Sequence, residues 1–213
     1  MKKIVFSFLT IGLLAFSSCT NEPSVKSTDK EETTTKVAKH YTLLTGQTAM
    51  RWTAFKFTER LGVIGTFNKI MVKEKVEGDG LSAALMGLEF KIPVSEINSN
   101  NEDRDGKIIN YFFGVMKETT AITGTFGEFN GDDTGGNCNV IINMNGQSKS
   151  VNFEYMVDER ALGLSTLIDL NNWDGEFALQ SINKKCEDLH KGTDGKSFIW
   201  PEVKLQISIP IAK

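Results

Sequence analysis

The dominant pattern along residues 40–211 is an alternation of apolar and polar positions with a period of two. It is clearest in residues 88–94, 151–157 and 203–211, where every second side chain is Leu, Phe, Ile, Val or Tyr. This period gives a β-strand one apolar face and one mostly polar face. Weaker patterns of the same kind predict strands over residues 41–44, 50–57, 65–73, 120–129, 139–144 and 162–170.

Short turn sequences separate these predicted strands at a spacing typical of hairpins. They are Gly78-Asp79-Gly80, Asn130-Gly131-Asp132-Asp133, Asn145-Gly146 and Asp194-Gly195. Eight or more antiparallel strands joined by short turns predict an all-β domain, either a sandwich or a barrel.

Two segments depart from the period of two. Residues 100–113 are charged and then apolar, which suits a short helix or an ordered loop. Residues 174–191 predict one amphipathic helix packed on the sheet, with Asp174 as N-cap and Gly192 as C-cap. The predicted apolar face of this helix consists of Phe177, Ile182, Cys186 and Leu189.

The N-terminal segment has the pattern of a targeting signal. Lys2 and Lys3 precede an apolar run over residues 4–16 that is too short to span a bilayer. Ser17-Ser18-Cys19 then resembles the lipobox of bacterial lipoproteins, in which the Cys is acylated and becomes the mature N-terminus. The alternative is an ordinary secretory signal with an incidental Cys.

We therefore expect three regions. Residues 1–18 are predicted to be a lipoprotein signal peptide, and residues 19–38 the lipidated Cys19 with a flexible polar tether. Residues 39–213 are predicted to be the β-domain. The expected location is the cell envelope, with the domain anchored by lipid outside the cytoplasm.

Composition excludes several classes of function. A formal net charge of -3 argues against nucleic-acid binding, which needs a basic surface. The two histidines, His40 and His190, have no metal-ligand spacing, and no catalytic or phosphate-binding motif occurs. We therefore expect no metal, no cofactor and no catalytic residue. Cys138 and Cys186 either pair as a disulfide or remain buried thiols.

Several spaced motifs resemble the YceI-like family over residues 40–211. Residues 95–114, with Arg104-Asp105 and Phe112-Phe113, are similar to the family signature. Leu61 departs from the family, in which many members carry a His before the glycine. Further matching segments are Trp52-Thr53-Ala54-Phe55-Lys56, Gly65-Thr66-Phe67, Ile168-Asp169-Leu170 and Trp200-Pro201-Glu202-Val203-Lys204-Leu205.

The resemblance implies a lipocalin-like antiparallel β-barrel of about eight or more strands, with a helix near the C-terminus. It also implies an internal cavity that holds a polyisoprenoid, such as a polyprenyl phosphate or an isoprenoid quinone. A barrel of this size is just wide enough to fill with side chains or to admit one slender ligand. Strand parity turns the following residues inward, either to line a cavity or to fill a core: Phe90, Ile92, Val151, Phe153, Tyr155, Leu205 and Ile207.

Other candidate residues belong to the segment of residues 100–113. Phe112 and Phe113 are expected to plug one end of the barrel or to clamp the ligand. Arg104, Asp105 and Lys107 are the candidates for contact with a ligand headgroup, because guanidinium and ammonium groups bind phosphate. The alternative for Arg104 and Asp105 is a structural pairing that holds the helix against the barrel.

Three functions remain open at this point. The first is a membrane-tethered protein that holds or transfers an isoprenoid lipid, and it requires an apolar cavity. The second is a structural or interaction lipoprotein with a filled barrel and no ligand. The third is an enzyme acting on an isoprenoid, which requires titratable groups converging beside the cavity. The oligomeric state is also open, and a homodimer is one of the possible states.

Overall fold

The computed structural model describes residues 39–212, and the predicted signal peptide, Cys19 and tether lie outside them. Every segment with a period of two forms β-structure. The first six strands are β1 (His40–Leu43), β2 (Ala49–Lys56), β3 (Leu61–Phe67), β4 (Met71–Val72), β5 (Val76–Asp79) and β6 (Glu89–Pro93). The other six are β7 (Ile97–Asn98), β8 (Ala121–Gly131), β9 (Gly135–Met144), β10 (Gln147–Val157), β11 (Ala161–Asp169) and β12 (Ile199–Pro210).

Ten of these strands form one curled antiparallel sheet, in the order β4-β6-β8-β9-β10-β11-β12-β2-β3-β7. The two ends of this order meet. Strand β7 follows β6 after a single 3-10 turn, Val94–Glu96, so one continuous segment pairs with β8 on one side and with β3 on the other. The strands therefore surround a lumen, and the prediction of an antiparallel lipocalin-like barrel is confirmed. Strands β1 and β5 form a separate small sheet.

The strand predicted over residues 65–73 is broken. This strand pairs with the continuous segment that contains β6 and β7. Phe67 lies opposite Ile97 and Met71 lies opposite Lys91, so the register of the pairing changes between them. The ladder is consequently split into β3 and β4, and β3 begins earlier than predicted, at Leu61.

The turn predictions have mixed outcomes. Asn145 and Gly146 have φ of 52° and 68° and join β9 to β10 in a tight hairpin, as predicted. Gly78-Asp79-Gly80 does not form a hairpin turn, because Gly80 instead precedes the helix α1 (Leu81–Leu85). Neither α1 nor β5 was predicted, since α1 has only five residues and β5 has a single large apolar side chain, Val76.

The segment of residues 100–113 contains the helix α2 (Glu102–Tyr111). The side chain of Asn101 caps it by accepting a hydrogen bond of 2.9 Å from the main-chain N–H of Arg104. Helix α2 packs against β7 and against the next helix, α3 (Glu176–Lys185).

The prediction of one helix over residues 174–191 was wrong in its bounds and in part of its face. Helix α3 spans Glu176–Lys185, and Asp174 is in the left-handed conformation, with φ of 54°, instead of capping it. Ala178, Ile182 and Cys186 repeat every four residues and are buried, whereas Phe177 is 67% exposed. Leu189 lies in a separate 3-10 turn, Glu187–His190, because the helix ends before it.

No helix within residues 39–212 is long and apolar enough to cross a membrane. The thiols of Cys138 and Cys186 are both buried and free in the described part of the chain.

Candidate functional site

The lumen of the barrel contains a cavity of about 490 Å³. Along β2 it is lined by Met50, Trp52, Ala54 and Lys56, which are alternate positions on one strand. The six residue steps from Met50 to Lys56 cover about 20 Å of β-strand, so the cavity is elongated along the barrel. Its volume lies within the range of small-molecule pockets in proteins, about 300–1,000 Å³.

The wall of the cavity is mainly apolar. Several of its side chains, such as Met50, are only half-buried although they pack on the core, because their inner surface faces the cavity. Seven of the nine residues that the sequence proposed for the cavity or its end lie on this wall: Phe90, Ile92, Phe112, Phe113, Phe153, Leu205 and Ile207.

Val151 and Tyr155 are not on the cavity wall, although they share a face of β10 with Phe153. The ring of Tyr155 packs edge-on against Phe129, and its hydroxyl donates a hydrogen bond of 3.1 Å to the main-chain oxygen of Asp132. Burial raises the pKa of this phenol. Parity determines the face of a strand that turns inward, but it does not determine which part of the strand reaches the cavity.

The cavity opens at one end of the barrel, which we call the mouth. Four wall residues are exposed to solvent, Asn101, Asp103, Arg104 and Leu189. The first three belong to the start of α2, and Leu189 belongs to the 3-10 turn Glu187–His190. The opening therefore lies between these two segments.

Three cationic side chains line the mouth: Lys56, Arg104 and Lys107. The ammonium group of Lys107 is 2.5 Å from a carboxylate oxygen of Asp103, one helical turn earlier on α2. Lys56 donates a hydrogen bond of 3.1 Å to the main-chain oxygen of Leu189. Among the described residues, no ion pair or hydrogen bond engages the guanidinium of Arg104. The mouth therefore presents an uncompensated positive charge beside an apolar cavity.

Asp105 lies away from this group. It is not on the cavity wall, and its carboxylate accepts a hydrogen bond of 2.9 Å from the main-chain N–H of Ser99. No salt bridge joins Asp105 to Arg104 within residues 39–212. The contact to Ser99 holds the first turn of α2 against the residues that precede it.

Two further titratable groups line the same end of the cavity. Burial, assisted by the positive charges of Lys56 and Lys107, lowers the pKa of His190 to about 4. Burial also raises the pKa of the Cys186 thiol, although the Lys107 ammonium opposes this shift. At neutral pH the imidazole and the thiol are therefore both neutral, and the cations carry the charge of the mouth.

Sequence reasoning named Lys56 only within a segment that resembles the family and did not propose it, Cys186 or His190 as a site residue. A signal for Lys56 was present, because it continues the alternation of Met50, Trp52 and Ala54 along β2. No comparable signal existed for His190. The 3-10 turn after α3 brings it to the cavity, and its imidazole is 3.0 Å from the side-chain oxygen of Asn183.

Comparisons with known proteins agree with this architecture. The family model of the YceI-like domain matches residues 41–211 of the chain. No protein with a curated description matches.

Solved structures show the same fold at low sequence identity. A polyisoprenoid binding domain from Saccharophagus degradans, implicated in plant cell wall breakdown, is 12% identical, with a TM-score of 0.57 over 82% of this chain and 98% of that chain. BcnA of Burkholderia cenocepacia is 12% identical, with a TM-score of 0.56 over 78% and 96% of the two chains. The YCEI protein of Campylobacter jejuni is 18% identical, with a TM-score of 0.55 over 74% and 90%.

Proposed function

The chain belongs to the YceI-like domain family, and from this premise we propose that it binds a polyisoprenoid lipid in its barrel. The apolar tail lies along the cavity wall, and the headgroup lies at the mouth. In this proposal Cys19 carries a lipid anchor, and the domain works outside the cytoplasm, where it holds or transfers its ligand.

One observation carries the proposal, namely an elongated apolar cavity that ends at three cations. An isoprenoid tail has no hydrogen-bonding group, so an apolar wall such as that of Phe90, Ile122 and Ile207 is sufficient to hold it. The cations Lys56, Arg104 and Lys107 favour a headgroup with negative charge, because a buried anion requires a compensating partner. The similarity to a polyisoprenoid binding domain is in line with this ligand class.

The alternative of a structural protein with a filled barrel requires that no cavity exists. The cavity of about 490 Å³ removes this premise. The alternative of an enzyme requires an activated group beside the cavity. Cys186 is a possible nucleophile on the cavity wall, but its raised pKa keeps the thiol protonated at neutral pH and therefore slow to react. The protonated thiol and the apolar wall therefore favour binding over nucleophilic catalysis by Cys186.

The test of the ligand class is mass spectrometry of an organic extract from the full chain purified from its native membrane. A polyisoprenoid released in stoichiometric amount supports the proposal. Extracts that repeatedly contain only bulk phospholipid, together with no binding of added polyprenyl phosphate or polyprenol, refute it.

A cavity-blocking variant tests where the ligand binds. Ala54 lies on the wall between its neighbours Val63 and Val203, so Ala54→Phe places a ring inside the lumen. We expect ligand affinity to fall about tenfold or more, since the ring occupies volume that the tail requires. Ala49→Phe is the matched control, because Ala49 is exposed on the same strand. Equal effects of the two substitutions would contradict a ligand site in the lumen.

A further inference from the structure

We propose that the mouth of the barrel docks on the surface of a lipid bilayer, so that the cavity opens directly into one leaflet. The inference rests on the proposed function, because a ligand with an apolar tail must pass between bilayer and cavity. The docking surface consists of Leu61, Leu189 and Phe198, which we call the apolar rim.

The residues of the apolar rim are exposed neighbours at one edge of the barrel. Leu61 is 53% exposed, Leu189 is 58% exposed and Phe198 is 40% exposed. Lys56 connects two of them, since it lies opposite Leu61 in the sheet and donates to the main-chain oxygen of Leu189. The next residue, Phe57, donates a main-chain hydrogen bond of 2.9 Å to Phe198.

The apolar rim is continuous with the cavity wall. Leu189 belongs to both surfaces, and Phe198 packs edge-on against Trp200, which lines the cavity. An apolar tail that leaves the cavity beside Leu189 and Trp200 therefore passes from one apolar surface to the other. A bilayer seated there extends the apolar path and spares the tail contact with water.

Acidic side chains also lie around the apolar rim, so apolar contact carries the docking in this proposal. Lys191 pairs with Glu187 at 3.5 Å and with Asp188 at 2.9 Å. Glu59 accepts a hydrogen bond from the hydroxyl of Thr193. The unpaired guanidinium of Arg104 lies beside the opening, where a lipid phosphate can approach it.

The point of chain entry allows this orientation. Strand β12 begins at the mouth with Ile199 and ends at Pro210. The main-chain oxygen of Pro210 accepts a hydrogen bond of 2.8 Å from the main-chain N–H of Leu44, which directly follows β1. The chain thus enters the domain at the opposite end, about 35 Å away along β12. About twenty residues separate Cys19 from Lys39 and span up to about 70 Å when extended. A lipid on Cys19 therefore leaves the mouth free to face the same membrane.

The experiment compares the distance of the two barrel ends from the membrane. The full chain is reconstituted in phosphatidylcholine vesicles that hold a nitroxide-labelled lipid and no isoprenoid. A fluorophore is attached to a cysteine replacing Lys196, in the loop beside the apolar rim, or replacing Glu159, in the turn after β10. We expect strong quenching at position 196, little at position 159, and no dependence on salt. Equal quenching at both positions, or none at either, would overturn the proposal.

Substitutions then test the apolar rim itself. Leu61→Asp and Phe198→Asp, each in the chain labelled at position 196, should reduce quenching to the level of position 159. Met156→Asp is the control, because Met156 is 75% exposed near the far end of the barrel. Unchanged quenching in both rim variants would overturn the proposal. These vesicles contain no isoprenoid, so the quenching assay measures docking separately from ligand binding. If the protein docks on the vesicles but binds no polyprenol in detergent solution, the proposed function is refuted and the docking proposal stands.

Discussion

The ammonium group of Lys56 donates a hydrogen bond of 3.1 Å to the main-chain oxygen of Leu189 and thereby ties β2 to the turn that borders the mouth. The same ammonium group helps to lower the pKa of the neighbouring His190. One side chain thus holds the rim of the cavity and contributes to its electrostatic potential.

We expect His190 to titrate at about pH 4, well below its ordinary value of 6.5. Between these values the unfolded chain binds a proton that the folded chain does not bind. The free energy of unfolding should therefore decline as the pH falls from about 6.5 to 4. Below pH 4 both states bind the proton, so His190 causes no further decline. His190→Gln should flatten the decline in denaturant titrations. Lys56→Met should raise the pKa of His190, as measured by NMR, and a His190 that titrates near 6.5 in the wild type would contradict this account.

Arg104→Ala should weaken a phosphorylated polyprenyl ligand more than the alcohol of equal chain length. A charge-assisted hydrogen bond contributes about 1.5–3 kcal/mol, or roughly 10- to 150-fold in affinity. Arg51→Ala is the matched control, because Arg51 is exposed on β2 and is not on the cavity wall. Calorimetric or fluorescence titration with both ligands measures the difference. Equal weakening for both ligands would assign Arg104 a structural role.

Cys186 should report occupancy of the cavity through its rate of alkylation. Burial raises the pKa of Cys186, and it raises that of Cys138 to about 12, so both thiols should react slowly in the folded protein. Only Cys186 lines the cavity. Bound ligand should therefore slow its alkylation further and leave the rate at Cys138 unchanged, which peptide mass spectrometry can measure. Equal protection of both thiols would indicate global stabilisation instead.

Gly65→Ala should destabilise the barrel by about 1–3 kcal/mol. A methyl group at Gly65 would lie 2.1 Å from the indole of Trp52, whose ring N–H donates to the main-chain oxygen of Thr66. Gly106→Ala is an informative contrast, since a methyl group there meets nothing within 4 Å. In helix α2 it should stabilise by about 0.5–1 kcal/mol. Chemical denaturation measures both changes, and a neutral Gly65→Ala would contradict the packing.

Cys19→Ala should release the protein from the membrane or leave it uncleaved, because the predicted acylation site is lost. Cell fractionation and the mass of the N-terminal peptide provide the measurements. Unchanged membrane association without an acyl mass on that peptide would refute the anchor.

Much of the fold could be predicted because its signals are local. Apolar and polar residues alternate in residues 151–157 and 203–211, so each segment must bury one face of a strand. This holds whichever strands lie beside it in the sheet. Asn145-Gly146 adopts positive φ readily, so the hairpin between β9 and β10 is encoded in two residues. The resemblance of residues 95–114 to one family then selected a barrel over a sandwich.

The tertiary structure alone decided the site. Phe153 and Tyr155 have the same parity, yet only Phe153 meets the cavity, because the curvature of the sheet determines which part of β10 reaches it. Lys56 and His190 are 134 positions apart in the chain and meet only after β2 and the turn Glu187–His190 converge at the mouth. The sequence by itself determined which residues turn inward, since that depends on local period. Only the closed barrel decided which of them surround empty space, since that depends on the packing of all strands together.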